Sequence, residues 1–142
     1  MTSDPHRYQP LLRLGVPLDE AAEVMILLHG RGGSAEDMFS LGEELGGPDF
    51  AYLAPKAANN SWYPYSFLAR LEQNEPYLSS ALNRVEAVVQ LAIDAGLPSK
   101  RVVITGFSQG ACLATEFMAR HPRRYAGLIA FTGGLIAPRI RI

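Results

Sequence analysis

The feature that most restricts the fold of this chain is a serine between two glycines, Gly106-Phe107-Ser108-Gln109-Gly110, directly after the apolar run Val102-Val103-Ile104. Downstream, Gly110, Ala114, Phe117 and Met118 recur along one side of a helix that His121-Pro122 terminates. A strand that hands over to a helix in so few residues needs a sharp turn, with the serine at its apex in a strained backbone conformation. The flanking glycines are required because side chains there would meet the neighbouring strand and helix. Such a turn lifts the Ser108 hydroxyl toward solvent. It also aims the Gln109 N–H, at the helix start, at a negative oxygen forming nearby.

The rest of the chain supplies the sheet this turn needs. Leu11-Leu12-Arg13-Leu14 reads as a short first strand after a polar, proline-punctuated start, and residues 1–9 are expected to be loose. Val24-Met25-Ile26-Leu27-Leu28 has the length of a strand and no alternation, which fits burial on both faces. It ends at His29-Gly30-Arg31-Gly32-Gly33. Ser34 and Asp37 resemble a capping box, and Met38, Leu41 and Leu45 follow at helical spacing until Gly46-Gly47-Pro48. Phe50-Ala51-Tyr52-Leu53-Ala54 is another buried strand closed by Pro55. A long helix opens at Asn74-Glu75-Pro76 with Leu78, Ala81, Leu82, Val85, Val88, Val89 and Ala92 on one face. A last apolar strand covers 125–131. Strands and helices therefore alternate, which predicts an α/β fold with a mostly parallel sheet and helices on both faces.

Residues 56–74 form a long connection rich in aromatics, including Trp62, Tyr63, Tyr65 and Phe67. A loop of this length in a compact domain is functional or disordered, and its aromatic content argues for order. Trp62 and Tyr63 either wall a binding site, or pack the loop to the body, or do both. With 142 residues, 48% of them hydrophobic and 19% charged, the chain is bounded to one soluble domain, and a net charge of -1 gives no electrostatic reason to expect nucleic acid. The single cysteine, Cys112, sits among small apolar residues of the helix after Ser108, where packing is its expected role. The first residues lack a secretory pattern, and no apolar run is long enough to span a bilayer. A cytoplasmic protein without stable membrane insertion is expected.

Two glycine-containing turns thus end two parallel strands on the edge where open α/β sheets bind ligands. An acyl-transfer site needs a nucleophile and two donors for the oxyanion. Ser108, the Gln109 N–H and an N–H from the 29–33 turn meet that requirement.

On His29-Gly30-Arg31-Gly32-Gly33, Leu53-Ala54-Pro55, Trp62-Tyr63-Pro64, Asn74-Glu75-Pro76, Gly106-Phe107-Ser108-Gln109-Gly110 and Gly133-Gly134-Leu135, the chain resembles the phospholipase/carboxylesterase family of the α/β-hydrolase fold, which includes acyl-protein thioesterases. The resemblance runs from about residue 8 to 138 and implies a serine hydrolase that cleaves carboxylic esters or thioesters through an acyl-enzyme on Ser108. It also implies that the backbone amides of Arg31 and Gln109 form the oxyanion hole, and that His29, Gly30, Trp62 and Tyr63 lie against the substrate. It implies no metal or organic cofactor. The expected partner is a small ester or thioester.

The family places a catalytic aspartate and then a histidine after the nucleophile, in the order Ser…Asp…His. Neither occurs beyond residue 134, where the chain reads Leu135-Ile136-Ala137-Pro138-Arg139-Ile140-Arg141-Ile142. The expectation is a C-terminally truncated single domain lacking the last strands of the fold, with an atypical tail over 135–142. Its alternative function is that of a catalytically silent α/β domain that binds acyl ligands or a partner chain. The histidines are poor substitutes for the missing base: His6 is in the N-terminal stretch, His121 is at the far end of the helix, and His29 is expected to brace its turn. Without further strands, the apolar segment 125–131 becomes a sheet edge, through which self-association is expected.

Overall fold

The computed structural model describes residues 4–66 and 68–131. Its elements are β1 (Leu11–Gly15), β2 (Glu23–Leu28), α1 (Met38–Leu45), β3 (Phe50–Pro55), α2 (Tyr77–Asp94), β4 (Val102–Phe107), α3 (Gln109–Arg120) and β5 (Gly127–Phe131), joined by short 3-10 turns. The strands form one sheet in the order β1-β3-β2-β4-β5. β2, β3, β4 and β5 run parallel, and β1 joins β3 antiparallel. The expected mostly parallel α/β sheet is present, with helices on both faces.

The apolar runs of β2 and β4 lie side by side at the centre, with Val24 opposite Val102 and Leu28 opposite Gly106. On one face Val24, Ile26, Leu28, Leu53, Val102 and Ile104 pack against α2 and α3 in the main core. On the other, Met25, Leu27, Tyr52 and Val103 pack with Met38 of α1 in a smaller cluster. The seven α2 residues at helical spacing are all buried. Cys112 is buried too.

Four expectations need correction. Helix α1 begins at Met38, because residues 34–37 form a turn in which the Ser34 hydroxyl accepts the Asp37 N–H at 3.1 Å. Its buried positions are Met38 and Gly42, where Leu27 and Tyr52 crowd the space a Cβ would take, while Leu45 is exposed. β5 starts at Gly127 and alternates half-buried with exposed positions, because one of its faces has no cover among the described residues. The N-terminal stretch is not loose throughout: His6 has no exposed surface, and its backbone N–H donates to the Ser80 hydroxyl of α2 at 2.9 Å. Gly133-Gly134-Leu135, the tail over 135–142 and Phe67 lie outside the described residues.

Candidate active site

β2 and β4 are adjacent and parallel, so the turns after Leu28 and Phe107 emerge together at one sheet edge. The glycine pattern around the serine has a steric cause. A Cβ on Gly106 would run into the backbone of Gly110 and Ala111, and one on Gly110 into the carbonyls of Leu28 and His29. Ser108 takes φ 54° and ψ −113° between them, a region that costs a residue with a side chain about 1–3 kcal/mol. The surrounding fold holds it there: the Ser108 N–H donates to the Phe131 carbonyl at 2.9 Å, and its own carbonyl accepts the Cys112 N–H at 3.1 Å. Ser108 itself is exposed.

The turn over residues 29–33 lies against this serine. A Cβ on Gly30 would be 3.4 Å from the Ser108 Cβ and 3.1 Å from the Phe107 carbonyl oxygen. Within the turn, the Gly32 N–H donates to the Asn60 carbonyl at 2.8 Å and the Gly33 N–H to the Gly30 carbonyl at 3.0 Å. Among the described residues the N–H groups of Arg31 and Gln109 have no such acceptor. These are the two donors expected for an oxyanion.

The side chains of the same residues clamp the backbone of the aromatic loop, as the loop-bracing reading of Arg31 and Asn74 expects. The Gln109 carboxamide accepts the Trp62 N–H at 2.8 Å and donates to the Tyr63 carbonyl at 2.8 Å. The Arg31 guanidinium forks onto the Pro64 and Tyr65 carbonyls at 2.7 and 2.8 Å. Asn74, fully buried, accepts the Tyr65 N–H at 2.8 Å and donates to the Ser66 carbonyl at 3.2 Å. At Trp62 and Tyr63 the Gln109 side chain satisfies buried backbone groups that a sheet or helix would otherwise pair.

Trp62 and Tyr63 are consequently core residues, 0% and 1% exposed. This corrects the expectation that they lie against a substrate, and the same holds for the His29 ring, 1% exposed. All three support the site from behind. The Trp62 indole N–H donates to the His29 carbonyl at 2.8 Å. The Tyr63 hydroxyl lies beside the Cys112 thiol, and burial pushes its ionisation far above the ordinary tyrosine range, so it stays neutral. Large apolar side chains that remain exposed around this end of the sheet are Tyr65, Leu68 and Phe107.

None of the three histidines is placed to serve Ser108. The His29 ring donates through Nδ1 to the Gly30 carbonyl at 2.8 Å and accepts the Ala57 N–H at Nε2, 3.1 Å away. His6 donates through Nε2 to the Trp62 carbonyl at 2.7 Å and accepts the Ala58 N–H at Nδ1, 3.0 Å away. His121 lies beyond the far end of α3, with Nδ1 3.3 Å from Glu86; twelve helical residues separate it from the elbow by roughly 18 Å. Sequence reasoning missed the role of His6 because nothing at short range reports a contact with a residue 56 positions away. A cavity of about 470 Å³ lies elsewhere, between β1, β3 and the end of α2. Among the described residues no cluster of His, Cys, Asp and Glu is arranged to hold a metal.

Residues 13–141 match the phospholipase/carboxylesterase family. The chain is 26% identical over 133 residues to acyl-protein thioesterase 1 of Cryptococcus neoformans, covering 82% of this chain and 56% of that protein. It is 27% identical to acyl-protein thioesterase 1 of Saccharomyces cerevisiae, covering 91% and 65%. The crystal structure of a phospholipase/carboxylesterase from Dyadobacter fermentans superposes with a TM-score of 0.90 at 46% identity, covering 95% of this chain and 65% of that one. The chain thus spans a little over half to two thirds of the length of these relatives.

Proposed function

Since this chain belongs to the phospholipase/carboxylesterase family, we propose that Ser108 is the nucleophile of a serine hydrolase that cleaves carboxylic esters or thioesters. The observation that supports this most directly is the elbow itself: an exposed serine at φ 54°, with Gly30 packed beside it and two amide donors left without acceptors among the described residues. A strained serine is maintained against its own backbone preference, which is the usual sign of a functional constraint.

In the proposed reaction the Ser108 Oγ bonds to the substrate carbonyl carbon while its proton passes to a base. The carbonyl oxygen becomes an oxyanion that accepts from the Gln109 and Arg31 N–H groups. Collapse of this intermediate expels the alcohol or thiol, which takes up a proton, and leaves an acyl group on Ser108. Water then repeats the sequence and releases the acid. The base comes from outside the described residues, since each histidine within them is engaged elsewhere.

That engagement favours a second reading, a catalytically silent α/β domain that binds acyl ligands or a partner chain. Fluorophosphonate labelling separates the two. The hydrolase reading expects a probe adduct on Ser108, slow in this chain, and its loss in Ser108→Ala. Rapid labelling that survives Ser108→Ala would overturn the assignment of the nucleophile, and no adduct under any condition would favour the silent domain.

A further inference from the structure

The aromatic loop is gripped by two imidazoles in complementary states. Ala57 and Ala58 are consecutive, and their N–H groups donate to two different histidines, His29 and His6. An amide N–H can only donate, so each histidine must present a lone pair there. The other ring nitrogen faces a carbonyl in both cases, Gly30 for His29 and Trp62 for His6, so it must carry the proton. Each ring is thereby fixed as one neutral tautomer: Nδ1–H for His29 and Nε2–H for His6. Between them lies the Trp62 indole, with ring centroids 5.1 Å from His29 and 5.3 Å from His6.

We propose that His6 and His29 are positioning residues that, only while both are neutral, lock the 57–62 segment and the oxyanion turn into one unit, which protonation of either imidazole releases. A proton added to either ring places an N–H against the Ala57 or Ala58 N–H. One loop bond then becomes a repulsion. The release reaches the site through two connections: His29 holds the Gly30 carbonyl, and Asn60, at the end of the clamped turn, accepts the Gly32 N–H.

The surroundings favour the neutral rings. Burial lowers the proton affinity of His6, opposed by its bond to the Trp62 carbonyl and by Asp4, and lowered again by His29. Tyr77 and Ser80 of α2 also face it. Burial likewise lowers His29, opposed by its bond to Gly30 and by Glu36, with Lys56 acting in the same direction as burial. Both rings therefore titrate below the ordinary value of 6.5. The unfolded chain binds protons first as pH falls, so the clamp contributes fully above about pH 6.5 and weakens as pH drops through that value toward the folded-state titration.

Trp62 is the sole tryptophan of the chain, which makes its emission a direct readout. The expected result on the full chain is a reversible loss of emission, with a red shift, below pH 6.5 while far-UV circular dichroism is unchanged. The step should disappear in His6→Gln/His29→Gln. Emission that is flat through the acid range, or a step that persists in the double variant, overturns the clamp. If the double variant does not fold, nitrogen-15 spectra of the unaltered chain decide: Nε2–H at His6 with Nδ1–H at His29 supports the proposal, and any other pair of states overturns it. The clamp does not depend on the hydrolase reading, whereas its bearing on turnover does. Fluorophosphonate labelling in the same samples keeps these apart, because an emission step without any Ser108 adduct confirms the clamp and removes the hydrolase reading alone.

Discussion

The 57–66 segment, which follows β3, and β5, which pairs with β4, are held in opposite ways. The segment has almost no regular structure, yet Trp62 and Tyr63 are buried completely and its backbone is bonded by side chains from five separate places, His6, His29, Arg31, Asn74 and Gln109. β5 is a regular strand with a full register to β4, but its residues are half-buried or exposed, and Leu128 is 38% exposed. Regular hydrogen bonding therefore does not measure how firmly a region is held. What matters is whether its polar backbone groups and apolar side chains both have partners.

The strongest test of this contrast is Trp62→Ala, which removes a fully buried indole and its bond to His29. We expect a stability loss of about 3–5 kcal/mol by chemical denaturation followed with circular dichroism. A loss near zero would place the loop outside the cooperative core. Next in size is Gly30→Val, whose added atoms meet the Phe107 carbonyl and the Ser108 Cβ. It should slow acylation of Ser108 roughly 100-fold, as loss of one oxyanion donor does. Arg31→Lys keeps the proposed amide donor and loses only the forked grip on Pro64 and Tyr65, so its effect should be smaller. The reverse order would show that the side chain, not the amide, serves the reaction.

Gln109→Ala comes third. It leaves the Trp62 N–H and Tyr63 carbonyl buried without their partner, a cost of about 1–3 kcal/mol in denaturant titration. A neutral result would mean that water replaces the carboxamide. The smallest effect is expected across the elbow, where Leu128→Lys should change stability by no more than about 0.5 kcal/mol. The same substitution should reduce self-association in light scattering, because a charge discourages pairing at an open strand. A penalty as large as that of Gln109→Ala would reveal a covered β5 and bring the two regions level.

Sequence alone carried the sheet and the elbow because both rest on short-range rules. The unbroken apolar runs of β2 and β4 can be satisfied only by burial on both faces, and the α2 positions at helical spacing are all in the core. Gly106 and Gly110 flank Ser108 because the backbone passes too close there for any Cβ. The antiparallel attachment of β1 was less legible, since a five-residue strand has no pattern that states its direction.

What tertiary structure decided was the use of polar and aromatic side chains at long range. The sequence favours Trp62 and Tyr63 as a wall with packing as the alternative, and burial places them in packing because the loop folds inward between His6, His29 and α3. The proline-punctuated N-terminal stretch reads as loose, yet its His6 is buried and bonded to residues 52 and 56 positions away. Apolar periodicity records only which face of an element is buried, and it records this locally. A hydrogen bond between a side chain and a distant backbone amide leaves no periodic trace, so the clamp that joins His6, His29 and Gln109 to one loop exists only once the sheet has brought their elements to the same edge.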